Sequence, residues 1–147
     1  MNRAAKLSPV VKLASQAVEQ AARGLAEANA VLQRDQQQLD SLLHYREEYL
    51  QRFRGADPMR MPAQKALELR AFLAQLDQAI TLQEQQIQRS RKIVNQHQQH
   101  WQEKRQREQA VQTLVTRYQI EQRQQLSRKE QSEADEHAIA LWKRIPR

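Results

Sequence analysis

The chain lacks cysteine entirely and has only two glycines and four prolines in 147 residues. Without cysteine there is no disulfide framework, no thiolate nucleophile and no Cys-based zinc site, and a reducing cytoplasm suits the chain. So little glycine argues against a sandwich or barrel, which needs many turns. Aromatic residues are 5% of the chain and apolar residues 39%, low for a globular core. No apolar run approaches the roughly 18–20 residues of a membrane span. The opening residues, Met1 to Lys6, are not followed by the apolar stretch of a secretory signal. One domain is expected from the length.

What is abundant is glutamine, with 26 copies, and charge of both signs. The net charge of +7 is spread as +2, +2 and +3 over residues 1–54, 55–100 and 101–147. A phosphate-binding protein usually concentrates Lys and Arg on one element. Interspersed signs are instead the mark of solvated helical surface.

One stretch reads as a break, Gly55-Ala-Asp-Pro58-Met-Arg-Met-Pro62. Before it, helix signals run back to Ser8 as N-cap and Pro9 at the first helical position. After it, Pro62 can open a second helix, and no Gly or Pro recurs until Pro146. The expectation is helix one over about 9–53, a hinge over 54–62 and helix two over about 63–143. At 1.5 Å per residue such helices measure roughly 65 Å and 120 Å.

Heptads supply each helix with a partner. Position a reads Val11, Val18, Leu25, Leu32, Leu39, Arg46, Phe53, with Ala14, Ala21, Ala28, Asp35, Leu42 and Tyr49 at d. In helix two, Ala66, Leu73, Ile80, Ile87, Val94 and Trp101 occupy a, and Leu69, Leu76, Gln83, Ser90 and His97 occupy d. A spacing of seven held over six heptads specifies a coiled coil rather than an ordinary bundle. The short hinge makes the pair antiparallel. The expected fold is all-α, a long two-helix antiparallel coiled-coil hairpin with the second helix overhanging.

The polar seam residues Asp35, Arg46, Gln83, Ser90 and His97 read as register-setting or snorkelling. Gly24 within helix one reads as local looseness. If paired residue numbers sum to about 117, helix two outruns its partner near 108. Val111, Leu114, Val115 and Tyr118 would then be uncovered, as would a last apolar face of Ala138, Leu141, Trp142 and Ile145. Such an overhang is either frayed or docked on another protein, and an uncovered Trp and Tyr favour docking.

No catalytic constellation is present, and no cofactor or metal is expected. There is no Gly-rich phosphate loop, Gly-x-Ser-x-Gly or zincin motif. His97 and His100 lie at i, i+3 without a nearby carboxylate and read as seam and solvent residues. Glu47 and Glu48 are adjacent, so they do not face each other as an acid/base pair. A two-helix hairpin offers no pocket that excludes water.

A strip on the flank is the better candidate. Gln38, Leu42, Tyr45 and Tyr49 are spaced i, i+4, i+7, i+11, and Phe72, Leu76, Ala79 and Gln83 share that spacing. Tyr45 and Phe72 fall at g positions, which are normally Glu or Lys. Two readings stand. Either the rings pack on each other as a widened seam, or they anchor a partner.

In size, in the hinge in the fifties, in these two strips and in the run Trp101-Gln-Glu-Lys104-Arg105-Gln-Arg107 continuing to Val111-Gln-Thr-Leu114, the chain resembles the FliJ family of the bacterial flagellar type III export apparatus. Gln83 stands where relatives can carry His, and the match weakens beyond about residue 119. The resemblance implies a cytoplasmic protein, peripheral to the inner membrane at the flagellar base, that is similar to the γ stalk of rotary ATPases. It implies three partners: the flagellar export ATPase ring, the cytoplasmic linker of the gate protein FlhA, and export substrate chaperones. Gate binding carries over to Gln38, Leu42, Tyr45, Tyr49, Phe72, Leu76 and Ala79. Trp101, Lys104, Arg105, Val111, Leu114 and Tyr118 are the candidate ATPase- or partner-facing residues. One alternative is the equivalent stalk of a virulence type III secretion system. Another is a nucleic-acid-binding coiled coil using Arg105, Arg107, Arg117, Arg123, Arg128 and Lys129, whose spacing gives no clean stripe; no nucleic-acid partner is expected.

Overall fold

A computed structural model describes residues 3–55 and 61–146, and these form three helices: α1 (Arg3–Lys6), α2 (Ser8–Gly55) and α3 (Ala63–Lys143). Among the described residues there is no strand, and the architecture is an all-α helical hairpin in which α2 and α3 pack on each other. The centre of the expected hinge, residues 56–60, lies outside the described residues.

Local chemistry explains the ends. Pro9 has no N–H to continue a helix from α1, so regular pairing lapses at Leu7. The Leu7 carbonyl then accepts the Val11 N–H at 2.9 Å. Leu7, rather than Ser8, is thus the N-cap of α2, and the four-residue α1 precedes the expected start. The Pro62 carbonyl accepts the Ala66 N–H at 3.1 Å, which opens α3 where the proline signal put it. At the far end, the Arg144 and Ile145 N–H groups turn back to the carbonyls of Leu141 and Trp142, and Pro146 stops the helix.

The chain divides into two compact units, Ala21–Trp101 on one hand and Met1–Gln20 with Gln102–Arg147 on the other. In the Ala21–Trp101 unit, α2 and α3 run antiparallel with their a and d positions inward. Ala21, Ala28, Leu76, Ile80, Ile87 and Ser90 are buried, and the remaining seam residues other than Phe53 are half-buried. Phe53 departs from its seam assignment, being 37% exposed in the last turn of α2, where the seam runs out.

The polar seam residues serve one another. Ser90, only 2% exposed, donates its hydroxyl to Asp35 Oδ2 at 2.5 Å, and Gln83 Nε2 donates to the Asp35 carbonyl oxygen at 2.8 Å. Arg46 Nε bonds Asp77 Oδ1 at 2.6 Å. Gly24 is a close approach rather than a loose point: a Cβ there would lie 3.0 Å from His97 Nδ1. These contacts set the register. Number sums of touching pairs run from 117 for Tyr45–Phe72 and 118 for Asp35–Gln83, through 121 for Gly24–His97, to 123 for Arg46–Asp77 and 125 for Asp35–Ser90, so they start at the expected 117 and centre a few residues above it.

In the other unit, the Arg3 guanidinium lies 5.6 Å above the Tyr118 ring, giving a sum of 121 there as well. Ala14 is buried, and Val11, Val18, Lys104, Glu108, Val111, Leu114, Val115 and Tyr118 are half-buried. The expectation of an uncovered overhang from residue 108 is corrected accordingly. The earlier helical start and the larger register sum extend cover to Tyr118, and every described residue from Gln119 to Pro146 is exposed.

Candidate functional site

The flank strip is built from the helical repeat. Tyr45 and Tyr49 lie one turn apart on α2, so their rings share a face. Phe72 precedes the seam residue Leu73 on α3 and reaches across to both. Tyr49 and Phe72 stack at 4.3 Å between centroids with 25° between planes. Tyr45 meets Tyr49 edge-on at 5.7 Å and Phe72 at 5.9 Å. Each such pair contributes about 0.5–1.5 kcal/mol beyond area burial.

Exposure separates the strip into layers. Leu76 is 7% exposed and belongs to the seam. Leu42, Tyr49, Phe72 and Ala79 are half-buried, while Gln38 is exposed and Tyr45 is 47% exposed. The two expected readings therefore coexist. The rings do pack on one another, and the outermost still offers nearly half its surface to solvent. Gln83 is spent on the Asp35 carbonyl inside the seam and does not extend the outer strip.

The second candidate group is not brought together as a single face. Trp101 is half-buried in its own unit. Lys104, also half-buried, lines a groove with Val10, Leu13, Ala14, Ala17 and Arg107. Arg105 is exposed, whereas Val111, Leu114 and Tyr118 are half-buried in the stretch that packs with residues 3–20. The apolar side chains offered openly lie further on: Ile120, Leu126, Ile139, Leu141, Trp142 and Ile145 are 49–61% exposed. Ile120, Leu126 and Ile139 escaped the sequence reading because they fall off its i, i+3, i+4, i+7 stripe; a count of apolar residues on α3 regardless of face would have found them.

Among the described residues, no three of His, Cys, Asp and Glu converge as metal ligands would. No described helix is long and apolar enough to cross a membrane. His97 faces Gly24 in the seam and is half-buried, while His100 is exposed.

Comparison with known proteins adds to this geometry. A family model described as "Flagellar FliJ protein" matches residues 3–147. The chain is 31% identical over 140 residues to the flagellar FliJ protein of Escherichia coli (strain K12), a match covering 95% of each chain. No solved structure matches it.

Proposed function

The chain belongs to the FliJ family, and from that premise we propose that it is a non-enzymatic component of the flagellar type III protein export apparatus. In this reading it is a γ-stalk-like coiled coil with three tasks. It promotes assembly of the export ATPase ring, links that ring to the cytoplasmic linker of the export gate FlhA, and escorts substrate chaperones. It works in the cytoplasm and meets the inner membrane only through its partners. The match to a family described as flagellar favours this over a virulence secretion stalk.

The observation that carries the reading is the end of α3. From Gln119 to Pro146 it is helical almost throughout and exposed, with Leu141, Trp142 and Ile145 among its open apolar side chains. Apolar side chains on such a helical end suit docking into a protein cavity. The aromatic strip around Tyr45 supports a second contact, with the gate.

The test is ATP hydrolysis by the cognate flagellar export ATPase at sub-saturating concentration, with and without the chain. Stimulation that disappears on deletion of residues 119–147 is the expected result. No effect at any ratio detaches the chain from the ATPase and overturns the stalk role.

A further inference from the structure

Beyond Tyr118 the uncharged face of α3 moves round the helix. Continuing the hairpin's own seam would put Lys129, Glu136 and Lys143 at its a positions. A different stripe, at alternating steps of four and three, runs from Ile120 and Gln124 through Ser127 and Ala134 to Leu141 and Ile145. It carries no charge, whereas each of the other six ways of laying a heptad over residues 120–145 includes Arg, Lys, Asp or Glu. All of the stripe is exposed, and it starts in a groove that Thr116 and Ile120 help to line. A charge-free heptad on an otherwise charged helix fits a second helix.

The residues beside the stripe decide which helix. On one side they are Glu121, Arg128, Asp135 and Trp142; on the other, Arg123, Glu130, His137 and Arg144. In a parallel pair of copies the two sides meet five residues apart, so Arg123 faces the partner's Arg128 and Glu130 the partner's Asp135. Both contacts repel. In an antiparallel pair each side meets its own copy. With Ile120 opposite the partner's Ile145 the whole stripe is covered, Arg128 faces the partner's Asp135, and Glu130 faces the partner's His137. The two-fold axis makes each favourable pair twice, against one repulsion made twice, Arg123 with the partner's Arg144. Slipping by a heptad in either direction sets Arg128 or Asp135 against itself in the other copy. The charges are thus complementary to a second copy in one direction and one register. We propose that the free chain forms a reversible antiparallel dimer through residues 120–145. Only Ile120, Leu141 and Ile145 are large and apolar on the stripe, so the pairing is weak and a dilute chain is single. The stalk reading uses the same segment, so a paired end and an ATPase-bound end exclude each other.

The full chain is followed by sedimentation equilibrium over about a hundredfold range of concentration, up to its solubility limit. A monomer–dimer equilibrium is expected. Ile120→Glu, at a site exposed in the single chain, should weaken it about tenfold or more. Arg128→Asp and Asp135→Arg should each weaken it about fivefold or more, and the two together in one chain should restore it. The absence of cysteine makes direction readable by cross-linking. Mild oxidation of a mixture of Ile120→Cys and Ile145→Cys chains should join one to the other, while neither chain alone cross-links efficiently. A single species at every concentration overturns the proposal. So do cross-links within the Ile120→Cys chain alone, association untouched by Ile120→Glu, or a double charge swap that restores nothing. A chain that stays single yet stimulates the export ATPase overturns the pairing and leaves the stalk role intact.

Discussion

Ser90 is the least exposed residue of the seam, and its hydroxyl depends on the Asp35 carboxylate. Asp35→Ala removes that acceptor and is expected to cost about 1–3 kcal/mol in urea unfolding. Replacing both partners, by Asp35→Leu with Ser90→Ala, is expected to recover the loss or exceed it, since an apolar seam has no polar group to satisfy. If Asp35→Ala unfolds at the wild-type midpoint, the pair contributes nothing. Gly24 tests a different balance. Alanine there gains about 1 kcal/mol of helix propensity but meets His97 at 3.0 Å. Gly24→Ala should therefore be more favourable in a His97→Ala background than in the wild type, and equal effects in both would remove the contact from the account. In the strip, Leu76→Ala is expected to cost about 2–5 kcal/mol as a core truncation. Tyr45→Ala, at a ring nearly half exposed, should cost less than about 1.5 kcal/mol. Comparable losses for the two would make Tyr45 a seam residue.

At the scale of elements, the helices were legible because so little interrupts them. Between Pro62 and Pro146 no Gly or Pro occurs, and α3 ends at Lys143 as the pattern indicates. Heptad positions were equally legible, down to the alanines at d. What periodicity on one helix does not contain is the offset between two. That offset rests on Asp35 meeting Ser90 and Gln83, and on Gly24 admitting His97, which are choices made across the seam. Misjudging it by about four residues, together with starting the first helix about six residues late, moved the expected edge of cover from Tyr118 to near residue 108. α1 was missed for a local reason, because Pro9 reads as a start even when a turn of helix precedes it. The corrected boundary makes a prediction about α3. Removing residues 119–147 should leave the melting temperature nearly unchanged, since that segment buries almost nothing. Removing residues 3–20 should instead expose the amides of residues 102–118 to rapid hydrogen exchange. A large fall in melting temperature on the first truncation would mean that the end of α3 is packed.

Across the whole molecule, burial is graded rather than uniform. The fully buried seam positions of α3 all lie between Leu76 and Ser90, and the chain is exposed throughout beyond Tyr118. Hydrogen exchange should follow the same order, slowest around Ile80 and Ile87 and fastest past Gln119. Uniform protection along α3 would contradict this gradient. The candidate site was legible to the same degree as the burial. The strip was visible as aromatics at positions usually charged, but its layering, with Leu76 buried in the seam and Tyr45 nearly half exposed, was not, since spacing along one helix does not give depth of burial.

The 28 described residues from Gln119 to Pro146 have a consequence for how far the chain can search. Their helix is held mainly by its own backbone bonds, and an isolated helix of mixed sequence is marginal in water. Coiled, the segment reaches about 40 Å; melted and drawn out, it reaches up to about 90 Å. As the docking end proposed above, such a segment would sweep a large capture radius whenever it melts and would shorten on refolding against its target.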